Sequence, residues 1–257
     1  MRCLVASLLA LVALRTDVAE QLKSLKAAYK AKDSPAAVRI FDELVQSFEG
    51  MAPKDQEEVV KVVESAYATR RDEGEDVNQL FVAAAATLSN MGASGEKAVV
   101  RTLALKHVRN KPIVVATLVE GLGRQVDATM VDQILPWLKV DNALGANAPV
   151  VVGAVNALAR FRAGDPKMRK RVVGEMVGVY VDLDAKYETE RAKPEPSDVL
   201  LTAFQQIEKP MRDSLRALSG QQFQKVEDWK KWWSTAKDAD WTASGGGGDP
   251  EKKAGGS

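Results

Sequence analysis

The sequence predicts an all-α protein, an α-solenoid of stacked antiparallel helix pairs, and three observations lead there. Apolar residues recur at helical spacing along most of the chain, and almost nowhere do they alternate with period two over a useful length. Caps and breakers punctuate this pattern at short intervals, which gives helices of about three to four turns joined by tight turns. The apolar residues are mainly Ala, Val and Leu: 46% of the chain is hydrophobic and only 6% aromatic. That composition suits many close helix contacts better than a pocket lined with aromatic rings. With 257 residues there is enough chain for a sizeable core.

The elements follow in order. Val18, Leu22, Leu25 and Tyr29 share one helical face. Ser34 as N-cap and Pro35 at the first helical position open a second helix, whose buried face is Val38, Phe41, Leu44, Val45 and Phe48 and which ends at Gly50. Val59, Val60, Val63 and Tyr67 form a third stripe, closed by Gly74. Asp76 is the expected cap of a helix carrying Leu80, Phe81, Ala84, Leu88 and Met91, and Ser94 that of a helix running through Val99 to Val108. Pro112 opens the helix of Leu118 and Leu122. Asp127 starts one with Met130, Val131, Ile134 and Leu138, in which Pro136 predicts a kink. Pro149 opens the run to Phe161, and Asp165-Pro166 opens the next, through Val172, Val173, Met176, Val177 and Tyr180.

An internal repeat runs through these elements. Ala86-Thr87-Leu88-Ser89-Asn90-Met91-Gly92, Leu118-Val119-Glu120-Gly121-Leu122-Gly123 and Ala154-Val155-Asn156-Ala157-Leu158-Ala159 are alike, each mixing small and apolar residues before a large anchor. The anchors Met91, Leu122 and Leu158 lie 31 and 36 residues apart, near the period of helical solenoid units. Ala203-Phe204-Gln205-Gln206-Ile207 is a fourth copy 49 residues on, the excess being taken up by a long helix and the loop around Lys193-Pro194-Glu195-Pro196.

On these Ala/Val-rich second helices, above all Val150 to Leu158, and on the Leu135-Pro136-Trp137-Leu138 element of a first helix, the chain resembles HEAT-like repeat proteins. The resemblance covers residues 75 to 210 and is degenerate, as this repeat class usually is. The C-terminal stretch is similar to the ending of many exported bacterial HEAT-like proteins, where a Gly-Gln-x-Phe turn precedes a helix carrying W-x-x-W-W. Here these are Gly220-Gln221-Gln222-Phe223 and Trp229, Trp232 and Trp233. The helical-repeat domain therefore spans 17–241, with a Trp-rich capping helix over 225–241 and a disordered Gly-rich tail over 242–257.

The other end carries an address. Arg2 precedes an unbroken apolar run from Cys3 to Leu14, the n-region and h-region of a secretory signal peptide, too short for a membrane span. Residues 1–16 are read as that signal peptide and the protein as exported, periplasmic or secreted. Removing them also removes Cys3, the single cysteine, which suits an oxidising compartment.

Composition excludes most chemistry. One Cys and one His cannot supply the usual zinc ligand set, and no disulfide can form within the chain. Lys plus Arg total 36 against 35 for Asp plus Glu, so the electrostatic footprint of a nucleic-acid binder is missing. His107 is read as structural, because no motif supplies it with a nucleophile or carboxylate. Gly92-Ala93-Ser94-Gly95-Glu96-Lys97 lacks the glycine spacing, the lysine position and the preceding strand of a phosphate loop. Asp72-Glu73-Gly74-Glu75-Asp76 lacks EF-hand spacing and reads as a helix end followed by an acidic helix start. No cofactor or metal is expected.

Two sets of residues remain as candidates for function. Counting back two from the anchors Met91, Leu122, Leu158 and Ile207 gives Ser89, Glu120, Asn156 and Gln205; counting forward two from the last three gives Arg124, Arg160 and Lys209. With the helices stacked in register these form two polar columns on the inner surface, the expected binding face for a protein or peptide partner. Trp229, Trp232 and Trp233 form one stripe at i, i+3 and i+4, expected to cap the open end of the core. The stripe's alternative role is glycan or other small-ligand binding, since aromatic faces stack on sugars and quaternary ammonium ions. HEAT-like proteins also include some that resemble bilin lyases and some that are DNA glycosylases. The balanced charge and the clustering of the tryptophans at one end fit neither enzyme, so the expectation is a non-enzymatic scaffold.

Overall fold

The apolar stripes become helices throughout the computed structural model, which describes residues 18–69, 74–139, 141 and 147–241. No strand occurs among the described residues. The signal-peptide segment, Asp72 and Glu73 of the acidic cluster, and the Gly-rich tail lie outside them. Contacts divide the 17–241 region, read from sequence as one domain, into two units that meet in sequence between Gly121 and Leu122. Each is described by itself.

Unit 1 begins with α1 over 18–31, whose Val18, Leu22, Leu25 and Tyr29 are all buried as the periodicity requires. It continues with α2 (Ser34–Ser47), α3 (Pro53–Glu64), α4 (Ala66–Thr69), α5 (Glu75–Ser89), α6 (Gly92–Leu103), α7 (Lys106–Arg109) and α8 (Pro112–Gly121). α2 packs on α5 and α5 on α8, while α3 packs on α6. The Asn78–Lys111 hydrogen bond joins α5 and α8 near their starts, and Gly121 meets Ser89 where both end, so these two helices run parallel. α6 and α7 carry the chain back between them.

Three predicted caps are corrected here. The cap of α2 is Asp33, whose carboxylate accepts from the Ala36 N–H at 2.9 Å, while Ser34 is a buried first helical residue. Gly74 at φ +147° precedes α5 and leaves Asp76 inside its first turn. α6 starts at Gly92, in left-handed backbone at φ +56°, so Ser94 lies inside the helix. The turn is this tight because Gly95 packs against the end of α5, where an added Cβ would collide with the Leu88 carbonyl. The helix expected to run through Val99 to Val108 breaks after Leu103, which places His107 in the separate turn α7.

In unit 2, Asp127 caps as predicted, its carboxylate accepting from the Thr129 N–H and hydroxyl. The segment that follows is a 3-10 turn at Ala128–Met130, one α-helical turn α9 (Val131–Ile134) and a 3-10 turn at Leu135–Leu138. Pro136, lacking an N–H, turns the expected kink into this change of helix type. Then come α10 (Ala148–Ala159), a 3-10 turn at Arg160–Ala163, α11 (Pro166–Arg191), α12 (Asp198–Ser219) and α13 (Val226–Ala236). α10 packs on α12, and α11 on both α12 and α13. Asp165 caps α11 through the Met168 N–H at 3.0 Å, and left-handed Gly220 ends α12. The C-terminal helix is shorter than the predicted 225–241. It stops at Ala236, and Trp241 folds back so that its indole N–H donates to the Ala236 carbonyl at 2.9 Å.

Candidate functional site

The four repeat anchors are core residues: Met91 is 1% exposed and Leu122, Leu158 and Ile207 are fully buried. They do not hold one helical position, since Met91 and Leu122 follow the ends of α5 and α8, Leu158 lies in the last turn of α10 and Ile207 in the middle of α12. The helices beside them pack as neighbours within each unit, α5 with α8 and α10 with α12. Each of these pairs carries a surface depression.

In unit 1 the depression is about 830 Å³, formed by one face of α5 and the start of α8. Val82, Ala83 and Ala86 give its apolar floor along α5, and Ile113, 57% exposed, stands at its α8 edge. Asn78, Gln79 and Lys111 supply polar groups. A network beneath the groove fixes this edge. The Tyr67 hydroxyl donates to the Phe81 carbonyl at 2.8 Å, and His107 Nε2–H donates to the Tyr67 carbonyl at 2.8 Å, which sets the histidine tautomer. Lys111 Nζ donates to Asn78 Oδ1 at 2.7 Å and lies 5.8 Å from the Phe81 ring centre. The lone histidine thus ties α4 to α7, as its structural reading expects.

In unit 2 a smaller depression of about 340 Å³ is lined by Asn156 and Ala159 from α10 and by Lys209, Pro210, Asp213 and Ser214 from α12. It brings together two of the predicted residues, Asn156 and Lys209. Lys209 Nζ bonds Asp213 Oδ2, and this hydrogen bond is the main reason the Asp213 carboxyl sits below the usual carboxylate range.

The remaining column residues differ in placement. Ser89 is buried, its hydroxyl donates to the Ala85 carbonyl at 2.7 Å, and it packs against Gly121, so it serves helix contact rather than an open face. Glu120, on α8, is half-buried. Arg124 is exposed in the turn after Gly123, Arg160 half-buried at the end of α10, and Gln205 exposed on α12. The groove residues Val82, Lys111 and Ile113 escaped the repeat register. Two signals mark them: Ile113 lies off the buried stripe of Val114, Val115 and Leu118, and the stretch 97–119 contains five Lys or Arg residues and no Asp or Glu.

The tryptophans are packed inside unit 2. Trp229 is fully buried and Trp232 is 6% exposed, leaving only Trp233 half-buried. Their rings meet one another and those of Phe223 and Trp241 at centroid distances of 5.1 to 6.2 Å. The Trp233 edge closes on Gly174 of α11, where an added Cβ would lie 2.6 Å from the ring. Arg169 stacks over Trp241, and Lys170 Nζ donates to the Ala239 carbonyl at 3.0 Å, so α11 holds the last turn in place. Trp229 and Trp232 therefore present no open face, while Trp233 keeps a partly exposed ring.

Among the described residues, no three His, Cys, Asp or Glu side chains are placed to share a metal ion. No described helix is long and apolar enough to cross a membrane. The grooves present apolar contact together with amide, ammonium and carboxylate groups. No protein-family model matches the chain, and neither a curated protein nor a solved structure is significantly similar to it.

Proposed function

We propose that the chain is a non-enzymatic helical-repeat scaffold of HEAT-like, α-solenoid type that binds a protein or peptide segment on its inner row of helices. One observation carries this reading: each unit has a depression between the two helices that the repeat alignment marks as inner. Small residues at these positions let neighbouring helices approach closely, and the side chains left exposed on the same helices line the depression. The apolar run after Arg2 supports work outside the cytoplasm.

The test is selection from a random peptide library displayed on phage, with the whole chain immobilised. Selected peptides should bind in solution and weaken about tenfold or more, a loss of about 1.4 kcal/mol, on Ile113→Glu or on Lys209→Glu. Glu120→Arg combined with Arg160→Glu probes the polar columns in the same assay. Circular dichroism should remain unchanged, because these side chains are at least partly exposed. Absence of any enriched peptide, or binding indifferent to all of these variants, removes the proposal.

A further inference from the structure

The unit 1 groove also carries a charge. Lys111, at its edge, contacts only the neutral Asn78 amide and the Phe81 ring through its side chain. Lys106 and Arg109 are exposed on α7, the single turn that leads directly into the groove through Asn110 and Lys111. Arg109 donates through Nε to the Leu103 carbonyl at 2.9 Å, and among the described residues no carboxylate pairs with any of these three cations. Arg101, further back, is engaged by Glu64 in a two-pronged pair at 2.6 and 2.9 Å. Among the described residues, Glu75 is the carboxylate lining the groove; it accepts from Gln79 at 3.3 Å and lies with Asp76 in the first turn of α5, where the helix dipole offsets part of their charge. Lys106 and Arg109 precede Lys111 by five and two residues in sequence, so their charges are carried on the segment that enters the groove.

We propose that this groove takes a peptide segment that is both aliphatic and acidic: an aliphatic side chain seats between Val82, Ala86 and Ile113, and a neighbouring carboxylate pairs with Lys111. The inference rests on the scaffold reading above and adds the partner's chemistry. An apolar floor without charge would accept any hydrophobic segment; the unpaired ammonium at its edge selects among them and rejects basic ones. Lys111 is held by Asn78 and Phe81 with hydrogen-bonding capacity left over, so a carboxylate meets a donor already in position.

Three fluorescein-labelled peptides of about twelve residues test this, sharing one Leu/Ala framework and differing only in carrying two Glu, two Gln or two Lys. Fluorescence anisotropy with the whole chain should give the Glu peptide about tenfold or more tighter binding than the Gln peptide, and the Lys peptide the weakest. The Glu advantage should shrink as salt rises from about 0.05 to 0.5 M. Lys111→Gln should abolish the preference and Lys111→Glu reverse it toward the Lys peptide, a gain that an unfolded variant cannot show. Lys106→Glu, at an exposed site, should reduce the preference with helicity intact. Equal binding of the Glu and Gln peptides, or a preference that survives Lys111→Glu, overturns the acidic specificity. If those peptides still weaken on Ile113→Ser, the scaffold reading stands without it. Failure of all three peptides to bind overturns the acidic–aliphatic assignment, and the library selection then decides the scaffold reading by itself.

Discussion

At the scale of single residues, the decisive features are places where two chain segments come closer than a Cβ allows. Gly174 and Gly178 lie one turn apart in α11, and their environments differ. An added Cβ at Gly178 meets nothing within 4 Å, while at Gly174 it would lie 2.6 Å from the Trp233 ring. Gly178→Ala should therefore stabilise the protein by about 0.5–1 kcal/mol, the intrinsic gain of Ala over Gly in a helix interior. Gly174→Ala gains the same propensity, but must move a ring wedged against Trp232 and Trp241 at 5.9 and 6.0 Å, so it should be net destabilising by about 1–3 kcal/mol. Urea denaturation of the two variants reads the opposite signs directly. None of this contrast was legible in the sequence, because both glycines interrupt the same helical pattern and only the partner helix tells them apart. The caps show the same limit. Asp33 and Ser34 both qualify chemically, and the choice falls on Asp33 because Ser34 is drawn into the buried face of α2.

At the scale of elements, the packing of α11 against α12 and α13 sets charges of like sign together. Burial raises the Asp184 carboxyl, and Glu227, Glu188 and Glu208 raise it further. A raised carboxyl favours the fold below the usual carboxylate range, and that contribution is lost as pH rises through its folded pKa. At neutral pH the charge therefore opposes folding. Asp184→Asn should stabilise at pH 7 by about 0.2–0.5 kcal/mol, the scale of a like-charge i, i+4 pair such as Asp184 with Glu188. The difference should vanish near pH 3, where Asp184 is protonated in both folded and unfolded chains. Glu190 runs the other way. Hydrogen bonds from Lys193 Nζ at 2.7 Å and the Ser197 N–H at 2.9 Å hold its carboxyl below the usual range and pin the loop between α11 and α12. Its contribution is present at neutral pH and lost as pH falls through the lowered pKa, so Glu190→Gln should cost stability at pH 7, a cost that shrinks as the pH falls below the usual carboxylate range. Urea titrations at both pH values distinguish the two signs. Most elements themselves were readable, because the 3.6-residue period and the proline starts are local signals; Pro112 and Asp165-Pro166 open α8 and α11 where expected. The sequence signalled a disturbance at Pro136 but not the 3-10 form it takes, and it carried no mark of the break at Ala104–Leu105.

At the scale of the whole molecule, the repeat spacing from Met91 to Leu158 is continuous and offers no boundary, yet contacts gather into two units that divide at Gly121 and Leu122. A boundary of this kind depends on which helices touch, and the two polar columns inherit the difficulty: their register assumes every anchor is followed by the same open face. It fails at Ser89, where Gly121 fills that face. The aromatic residues provide a way to ask whether the units fold as separately as they pack. All five tryptophans, from Trp137 to Trp241, follow Leu122. Tryptophan emission therefore reports on unit 2 alone, while far-UV circular dichroism reports on both. Phe81 is fully buried in unit 1, with its ring 4.7 Å from that of Tyr67, so Phe81→Ala should cost about 3–5 kcal/mol locally. In thermal or urea denaturation, the dichroism transition should broaden or split, with its first part at lower denaturant, while the emission midpoint stays near that of the unsubstituted chain. A cut in one unit reaches the other only through whatever coupling joins them. An emission midpoint that shifts as far as the dichroism midpoint would mean that the two units unfold as one cooperative body, and that the division in contacts has no counterpart in folding.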